Sequence, residues 1–306
     1  MLDDRVVFKN GEFVAWNEAN VHIMSHSFGR GTAIFEVIGF HNTRNGRAVF
    51  RLDKHVQRFF RSARLLDMEP PLSEDALHQA VLATVERNAL EQGVIKIFGY
   101  YSQPSYKILP PRQKLDVSIL VFDPVQDMEI PPFAFEEGTT LCISRWRKLD
   151  PQTVPVEAKV AANYLNGMMA RIEARNRGFD YAVMLDAQGF VAEGSTESVF
   201  LVKDDVLTTP SLGPVLRSIT RETIIQTAER IGVETFEGDI SSDRLHEADE
   251  IFLSSTAGKV QPVRKVEERL LKGTPGPCTR KVADFLNGIV AGREERFKDW
   301  LFPVRS

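Results

Sequence analysis

The order of strand-like and helix-like segments most constrains the fold of this chain. Alternating apolar and polar residues predict strands in runs, first around Asn10 and Gly11, a dipeptide typical of a hairpin turn, and later in a meander over residues 181–207. Apolar residues at helical spacing predict helices at 53–67 and 163–176. Because strands come in runs and do not alternate strictly with helices, the pattern predicts an α+β fold and argues against a doubly wound sheet.

The length of 306 residues is sufficient for two moderate hydrophobic cores. Residues 123–132, which read DPVQDMEIPP, are polar, contain three prolines and have no periodicity, so they predict an interdomain linker. We therefore expect an N-terminal α+β domain over residues 1–122 and a C-terminal α+β domain over residues 133–306.

Composition favours a cytoplasmic enzyme that acts on small molecules. The net charge of −4 gives no electrostatic reason to expect nucleic acid or an anionic membrane as a partner. The two cysteines, Cys142 and Cys278, lack neighbouring ligands at metal-binding spacing, so we expect reduced structural thiols and no metal site. The N-terminal residues do not resemble a secretory signal, and no apolar run approaches the ~20 residues of a membrane helix.

Lys159 is the first candidate catalytic residue, because it lies within a run of small apolar residues that reads AKVAA. Desolvation by such neighbours lowers the pKa of a lysine toward the range in which its free amine attacks a carbonyl, as a Schiff-base lysine must. The alternative interpretation is an ordinary exposed lysine before a helix.

Glu193 is the second candidate, on a predicted strand where it shares one face with Val191 and Ser195. A carboxylate on such a face needs a cationic partner. Pyridoxal phosphate requires both kinds of group, an amine that holds its aldehyde as an imine and an acid that keeps its ring nitrogen protonated.

Three sequence motifs surround these residues: P-x-x-x-K-x-x-x-N-Y at 155–164, L-D-x-x-G-x-V-x-E-G at 185–194 and L-T-T-P at 207–210. Together they resemble the fold-type IV (class IV) pyridoxal-phosphate-dependent aminotransferases, and most closely the branched-chain amino acid aminotransferases. The resemblance implies a two-domain fold with pyridoxal 5′-phosphate between the domains. It also implies transamination between an L-branched-chain amino acid and 2-oxoglutarate through a Lys159 internal aldimine.

Donors for the cofactor phosphate are expected in two segments. Ser218, Ile219 and Thr220 precede or open a predicted helix, whose free N–H groups and dipole favour an anion. Thr256 lies in a loop of small residues, SSTAG, that allows close backbone approach. The alternatives are a plain helix cap at Ser218 or Thr220 and an ordinary polar turn at Thr256.

The resemblance assigns two further cofactor contacts. It implies that Arg58, three residues after His55, binds the phosphate, although Arg58, Arg61 and Arg64 could instead form a solvated helix face. It also implies that Tyr164 donates a hydrogen bond to the phenolic oxygen of the cofactor. The alternative for Tyr164 is a half-buried aromatic residue at a helix start.

The substrate residues implied by the resemblance are Phe35, Lys96, Thr256, Ala257 and Arg30. Lys96 takes the place of a substrate-carboxylate arginine, and Phe35 would form apolar pocket wall. Two cations in that pocket would need an anion for compensation.

The chain departs from the family pattern near these residues. Arg30 replaces a tyrosine, Val37 and Gly39 alter the F-E-G-I-R motif, and Ser198 replaces an asparagine. These changes concern substrate recognition and not cofactor binding. Glu36 is the acid expected to compensate Arg30 and Lys96.

The apolar loop at 103–111, with Tyr106, Ile108 and Leu109, is unusual for a free surface and predicts at least a homodimer, as the resemblance also implies. Alternative functions are a D-amino acid or other class IV aminotransferase, an aminodeoxychorismate lyase, and a catalytically idle oligomeric binding protein on the same fold.

Overall fold

The computed structural model describes residues 2–305. The strands are β1 (Val6–Lys9), β2 (Glu12–Ala15), β3 (Ile34–Thr43), β4 (Gly46–Phe50), β5 (Gly93–Tyr100), β6 (Asp116–Phe122), β7 (Thr139–Ile143), β8 (Tyr181–Leu185), β9 (Val191–Gly194), β10 (Ser198–Lys203), β11 (Val206–Pro210), β12 (Glu234–Gly238), β13 (Glu250–Ser255), β14 (Lys259–Val266), β15 (Arg269–Leu270) and β16 (Leu301–Pro303). The α-helices are α1 (His26–Arg30), α2 (Leu52–Leu65), α3 (Glu74–Asn88), α4 (Pro124–Met128), α5 (Tyr164–Asn176), α6 (Ile219–Ala228), α7 (Arg244–Glu247) and α8 (Pro277–Val290).

The chain forms two compact units, and neither unit is one continuous stretch. Unit 1 comprises Met1–Pro132, Ala158–Ala162 and Gly288–Ser306. Unit 2 comprises Phe133–Glu157 and Asn163–Asn287.

Unit 1 is built on a seven-stranded antiparallel sheet with strand order β16-β4-β3-β5-β6-β1-β2. The Asn10–Gly11 turn joins β1 to β2 as expected, with Lys9 opposite Glu12. Helices α2 and α3 pack against this sheet and against each other. Their apolar stripes, including Val56, Phe59 and Val81, are fully or almost fully buried in its core.

Strand alternation gives the sheet of unit 1 two different faces. Ile34, Glu36 and Ile38 of β3 are buried on the face that carries α2. Phe35 and Val37, between them, point to the opposite face and are only half-buried. Residues assigned to substrate binding on β3 and β5 therefore lie on the face that is free of α2.

Two expected domain boundaries differ from the observed units. Residues 158–162 and 288–306 were expected in the C-terminal domain but belong to unit 1, because Val160 bridges Ile34 and because β16 pairs with β4. The expected linker at 123–132 is grouped with unit 1 and contains α4, whose first N–H groups donate to the side chain of Asp123. A three-residue edge strand and a five-residue helix are too short to produce a clear period in the sequence.

Unit 2 is built on a nine-stranded mixed sheet with the order β12-β11-β10-β13-β14-β7-β8-β9, and β15 pairs with β14. The pairs β11–β12, β14–β7 and β7–β8 are parallel. Helix α5 packs Ala170 and Ala174 against Cys142, Ala182 and Met184 of β7 and β8. Strands in runs with helices beside them confirm the expected α+β class.

Cys142 and Cys278 are both free and buried, as expected for structural thiols. Burial raises the pKa of each thiol to about 11. Of the helices formed by residues 2–305, none combines the length and apolar character that a membrane crossing requires. Within the same residues, no cluster of His, Cys, Asp or Glu could bind a metal ion.

Candidate active site

The backbone of Lys159 is fixed within unit 1 by hydrogen bonds on both sides. Phe35 N donates to Lys159 O at 2.9 Å, and Lys159 N donates to Ser62 Oγ of α2, also at 2.9 Å. Ala161 N donates to Ala33 O at 2.7 Å, so the segment pairs alongside the start of β3, which β4 does not reach. The flanking Ala158 and Val160 are buried, which confirms the expected apolar surroundings of Lys159.

A buried charged cluster lies on the α2 side of the same strand. Glu36, on β3, has 0% of its surface exposed. Arg58 Nε donates to Glu36 Oε1 and Arg58 Nη2 donates to Glu36 Oε2, both at 2.7 Å, so the guanidinium binds the carboxylate side-on. His55 Nδ1 lies 2.7 Å from Glu36 Oε2.

The charges of this cluster are set by its burial and its contacts. Burial raises the pKa of Glu36, but the positive charge of Arg58 and hydrogen bonds from Arg58 and His55 outweigh it and lower the pKa to about 2. An ionised carboxylate only accepts hydrogen bonds, so His55 Nδ1 is the donor to Glu36. Burial, aided by the positive charges of Arg58 and Lys159, lowers the pKa of His55 and favours its neutral form.

This cluster corrects two interpretations drawn from the sequence. Arg58 is buried whereas Arg64 is exposed, so the solvated-face alternative is wrong for Arg58. Glu36 was expected to compensate Arg30 or Lys96 but pairs with Arg58 and His55, because the alternation of β3 directs it toward α2. The i, i+3 spacing of His55 and Arg58 places both on one helix face and is the sequence signal that indicates a shared partner.

Phe35 contacts two lysine ammonium groups on the opposite face. Lys159 Nζ lies 4.8 Å from the centre of the Phe35 ring, and Lys96 Nζ lies 5.8 Å from it. Lys96 Nζ is also 4.9 Å from the centre of the Phe98 ring. Burial lowers the pKa of Lys96, and Lys96 makes no ion pair with a carboxylate among residues 2–305. The structure thus brings together Phe35, Lys96 and Lys159.

Arg30 is not part of that group. It ends α1, is exposed, and donates from Nη2 to Tyr106 O at 3.0 Å. Among residues 2–305 this is the only hydrogen bond that the Arg30 side chain makes, and its partner lies in the apolar loop at 103–111.

In unit 2, Glu193 has the cationic partner that its position requires. Glu193 lies on β9 opposite Met184 of β8, and its Oε1 forms an ion pair with Lys148 Nζ. Lys148 is anchored by its own N–H, which donates to Leu185 O at 2.8 Å. The sequence did not identify Lys148, because it follows Arg145 and Arg147 closely and nothing local distinguishes the three cations.

Tyr164 opens α5 and is half-buried, as both interpretations of it expect. The same helix approaches the turn after Glu193 closely at Gly167, where an added Cβ would clash with Ser195 O. Only glycine permits this approach, so the start of α5 is held against the turn that follows Glu193.

The expected phosphate donors of unit 2 lie at a helix start and at a hairpin turn. Ser218 is the N-cap of α6 and its Oγ accepts from Arg221 N at 3.3 Å, while Ile219 and Thr220 form the first turn. Thr256 lies in the turn between β13 and β14. Arg221 is buried and donates from Nη2 to Pro210 O and to Glu237, which fixes the start of α6.

The remaining residues of that turn are Ala257, which is exposed, and Gly258, whose N–H donates to Ser255 Oγ at 3.0 Å. Three buried hydroxyl groups of unit 2, Ser195 Oγ, Ser254 Oγ and Thr279 Oγ1, have no hydrogen-bond partner among residues 2–305. Unpaired buried hydroxyls are uncommon in native structures. Ser195 and Ser254 lie beside two of the predicted site segments, the strand of Glu193 and the turn of Thr256.

The chain is similar to known proteins over almost its whole length. A model of the amino-transferase class IV family matches residues 33–266. The branched-chain-amino-acid aminotransferase of Salmonella typhimurium is 34% identical over 303 residues, which cover 98% of this chain and 97% of the relative. The corresponding protein of Pseudomonas aeruginosa is 33% identical and covers 99% of this chain and 98% of its own length.

Solved structures agree with these relatives. The branched-chain aminotransferase of Thermoproteus uzoniensis with norvaline has a TM-score of 0.93 and 34% identity, covering 98% of this chain and 99% of that chain. The branched-chain amino acid aminotransferase of Thermobaculum terrenum in its PLP form has a TM-score of 0.92 and 29% identity over 100% of both chains. These matches confirm the resemblance and the fold-type IV assignment. The chain belongs to the class IV aminotransferase family.

Proposed function

We propose that this protein is a pyridoxal-phosphate-dependent aminotransferase that exchanges an amino group between an L-branched-chain amino acid and 2-oxoglutarate. The observation that carries the proposal is Lys159, fixed beside Phe35 and Lys96 in a chain that matches branched-chain aminotransferases over almost its whole length. Branched-chain aminotransferases similar to this chain have been solved with an N-phosphopyridoxyl glutamate and with 4-methylvaleric acid, a branched carboxylic acid.

The residues present fit pyridoxal 5′-phosphate. Lys159 supplies the amine, Arg58 is a buried guanidinium, Glu193 is a carboxylate with its own cation, and Ser195 and Ser254 offer unpaired hydroxyls. When bound, the cofactor supplies a protonated pyridine ring that withdraws electrons from the substrate α-carbon.

We assign each cofactor contact to a residue of this chain. Lys159 holds the aldehyde carbon, and Glu193 accepts a hydrogen bond from the ring nitrogen and keeps it protonated. Tyr164 donates to the phenolic oxygen. The phosphate contacts are assigned to Arg58, Ser218, Ile219, Thr220 and Thr256.

Lys159 also moves the substrate proton. With the cofactor bound and the substrate amine in the place of Lys159, the free Nζ would be the base that takes the proton from the substrate α-carbon and the acid that gives it back. Phe35, 4.8 Å away, offers its ring face to the lysine whenever Nζ carries that proton. Neutral His55 avoids adding a third positive charge to those of Arg58 and Lys159.

We assign substrate recognition to the five residues that the resemblance implies. Lys96 is assigned to a substrate carboxylate and Phe35, beside it, to apolar contact with the substrate. Thr256 and Ala257, in the β13–β14 turn, are assigned further substrate contacts. Arg30, which donates to Tyr106 O of the apolar loop, is the second cation assigned to a substrate carboxylate. Two cations suit 2-oxoglutarate, which carries two carboxylates.

We also propose a homodimer in the cytoplasm. Ile23, Phe28, Tyr106, Ile108 and Leu109 are large apolar or aromatic residues, and each has at least 70% of its surface exposed. Such a patch favours burial against a second copy of the chain. The two free buried cysteines agree with a reducing compartment.

The test is glutamate formation from L-leucine and 2-oxoglutarate by purified protein with added cofactor. We expect transfer in the wild type and a loss of about several orders of magnitude in Lys159→Ala, because two roles of one amine disappear together. Lys203→Ala, which removes an exposed lysine paired with Asp249, is the matched control. Retention of a tenth of the wild-type rate in Lys159→Ala would place the catalytic amine elsewhere, and faster reaction with D-alanine than with any L-branched-chain amino acid would reverse the substrate assignment.

Lys96→Ala tests the substrate side of the proposal. We expect the KM for 2-oxoglutarate to rise more than the KM for leucine, because only 2-oxoglutarate has a second carboxylate. An equal rise in both KM values would show that Lys96 contacts only the carboxylate that the two substrates share.

A further inference from the structure

We propose that Glu36 is a positioning residue that orients the guanidinium of Arg58 toward the cofactor phosphate. The proposal rests on the proposed function, since it concerns the same cofactor. It assigns a role to an acid whose carboxylate is bound by Arg58 and His55 and to which the proposed function gives no substrate or phosphate contact.

The geometry of the pair carries the argument. Arg58 donates from Nε and Nη2 to the two oxygens of Glu36, each at 2.7 Å. Because the guanidinium is planar, side-on pairing fixes the plane of the group and turns its Nη1 edge away from Glu36. One carboxylate therefore sets both the position and the direction of the arginine.

His55 completes the arrangement around the carboxylate. Its Nδ1 donates to Glu36 Oε2, the oxygen that also accepts from Arg58 Nη2. His55 and Arg58 come from successive turns of α2 and donate to the same carboxylate. Glu36 therefore holds the face of α2 that carries Arg58 in place. The same helix supplies Ser62, whose Oγ accepts from Lys159 N, so α2 holds both the Arg58 guanidinium and the backbone of Lys159.

The burial of both Glu36 and Arg58 argues for a role of this ion pair other than stabilising the fold. Glu36 and Arg58 are both buried, and a buried ion pair often stabilises a fold no more than apolar residues of the same volume. The negative charge of Glu36 also acts against binding of a phosphate. The positive charge of Arg58 offsets that repulsion, whereas loss of the Glu36 carboxylate removes two charge-assisted hydrogen bonds that orient Arg58.

The experiment compares pyridoxal 5′-phosphate with pyridoxal, which lacks the phosphate. Each is titrated into the full-length protein freed of cofactor, and the ratio of the Kd for pyridoxal to the Kd for pyridoxal 5′-phosphate measures the phosphate contribution. For Glu36→Gln we expect this ratio to fall by about ten- to a hundredfold, the change expected on loss of one charge-assisted hydrogen bond. The Kd for pyridoxal should change by less than about twofold. On an Arg58→Ala background, Glu36→Gln should have no further effect on the ratio.

Asp127→Asn is the matched control, because Arg5 also binds Asp127 side-on, through Nε at 3.1 Å and Nη2 at 2.7 Å, within unit 1. Asp127→Asn should leave the ratio unchanged. Should Glu36→Gln not fold, Glu36→Asp keeps the charge but withdraws the oxygens by one methylene, and should lower the ratio in the same direction.

If Glu36→Gln kept or increased the wild-type preference for pyridoxal 5′-phosphate over pyridoxal, the positioning role would be overturned. The proposed function would still stand. An equal loss of affinity for both compounds would show a general structural role and overturn it as well. If the wild type bound neither compound, the proposed function would fail together with this inference.

Discussion

Replacement of Lys148 by methionine should destabilise unit 2 strongly, because it leaves the carboxylate of Glu193 without its cation. The side chains of Lys148 and Glu193 are only 11% and 10% exposed, so solvent screens their attraction weakly. Removal of one member of a buried ion pair costs about 3 to 5 kcal/mol, and the residual exposure favours the lower end, about 3 kcal/mol. In Lys148→Met/Glu193→Gln no buried charge is left unpaired, so the double variant should be more stable than the sum of the single changes by about 2 kcal/mol.

Trp146 provides the assay. It is the only one of the three tryptophans within unit 2, so in a Trp16→Phe/Trp300→Phe background its fluorescence follows that unit during urea unfolding without cofactor. Lys203→Met is the matched control in the same unit, since Lys203 and Asp249 are 36% and 52% exposed and an exposed pair contributes about 0 to 1 kcal/mol. Equal urea midpoints for Lys148→Met and Lys203→Met, or strictly additive single changes, would refute the buried-pair argument.

Unit 1 should lose stability as the pH falls from 7 to 5, because the pKa of His55 is lowered from 6.5 on folding and the unfolded chain therefore binds the proton first. Urea midpoints measured against pH for wild type and His55→Phe should show this loss of stability in the wild type only. Glu36, whose pKa is lowered from 4.5 to about 2, should add a further loss of stability below pH 4.5 in both proteins. The thiols of Cys142 and Cys278, with pKa values raised to about 11 by burial, should react with a thiol reagent at pH 8 much more slowly in the native protein than in urea; equal rates would contradict their burial.

The sequence was sufficient for the fold class, for the buried neighbours of Lys159 and for the need of Glu193 for a cation. Strand runs predicted the α+β class, and the apolar run around Lys159 predicted the buried neighbours that the structure contains. Arg58 could be separated from Arg61 and Arg64 only by resemblance, since all three have similar local sequence. Burial by the sheet then distinguishes Arg58 from Arg64, and no local pattern contains that information.

The contacts that the sequence did not reveal are long-range pairings. Glu36 meets Arg58 and His55 because strand β3 packs on helix α2, and Lys148 meets Glu193 because a loop returns past β8. Which acid pairs with which base depends on sheet register and helix packing. The expectation that Glu36 compensates Lys96 was wrong because the two residues lie on opposite faces of one sheet.

The interrupted chain path of unit 1 has a consequence for synthesis of the protein. The segment Ala158–Ala162 pairs beside the start of β3 only after the intervening residues 133–157 have been made. Strand β16 pairs with β4 only after residues 301–303 have been made. Until then the nascent sheet exposes the unpaired edge of β4, where other strands can add. A gene fragment ending at Pro132 would lack both strand β16 and the segment with Lys159, so unit 1 cannot form all of its strand pairs before residues 301–303 have been made.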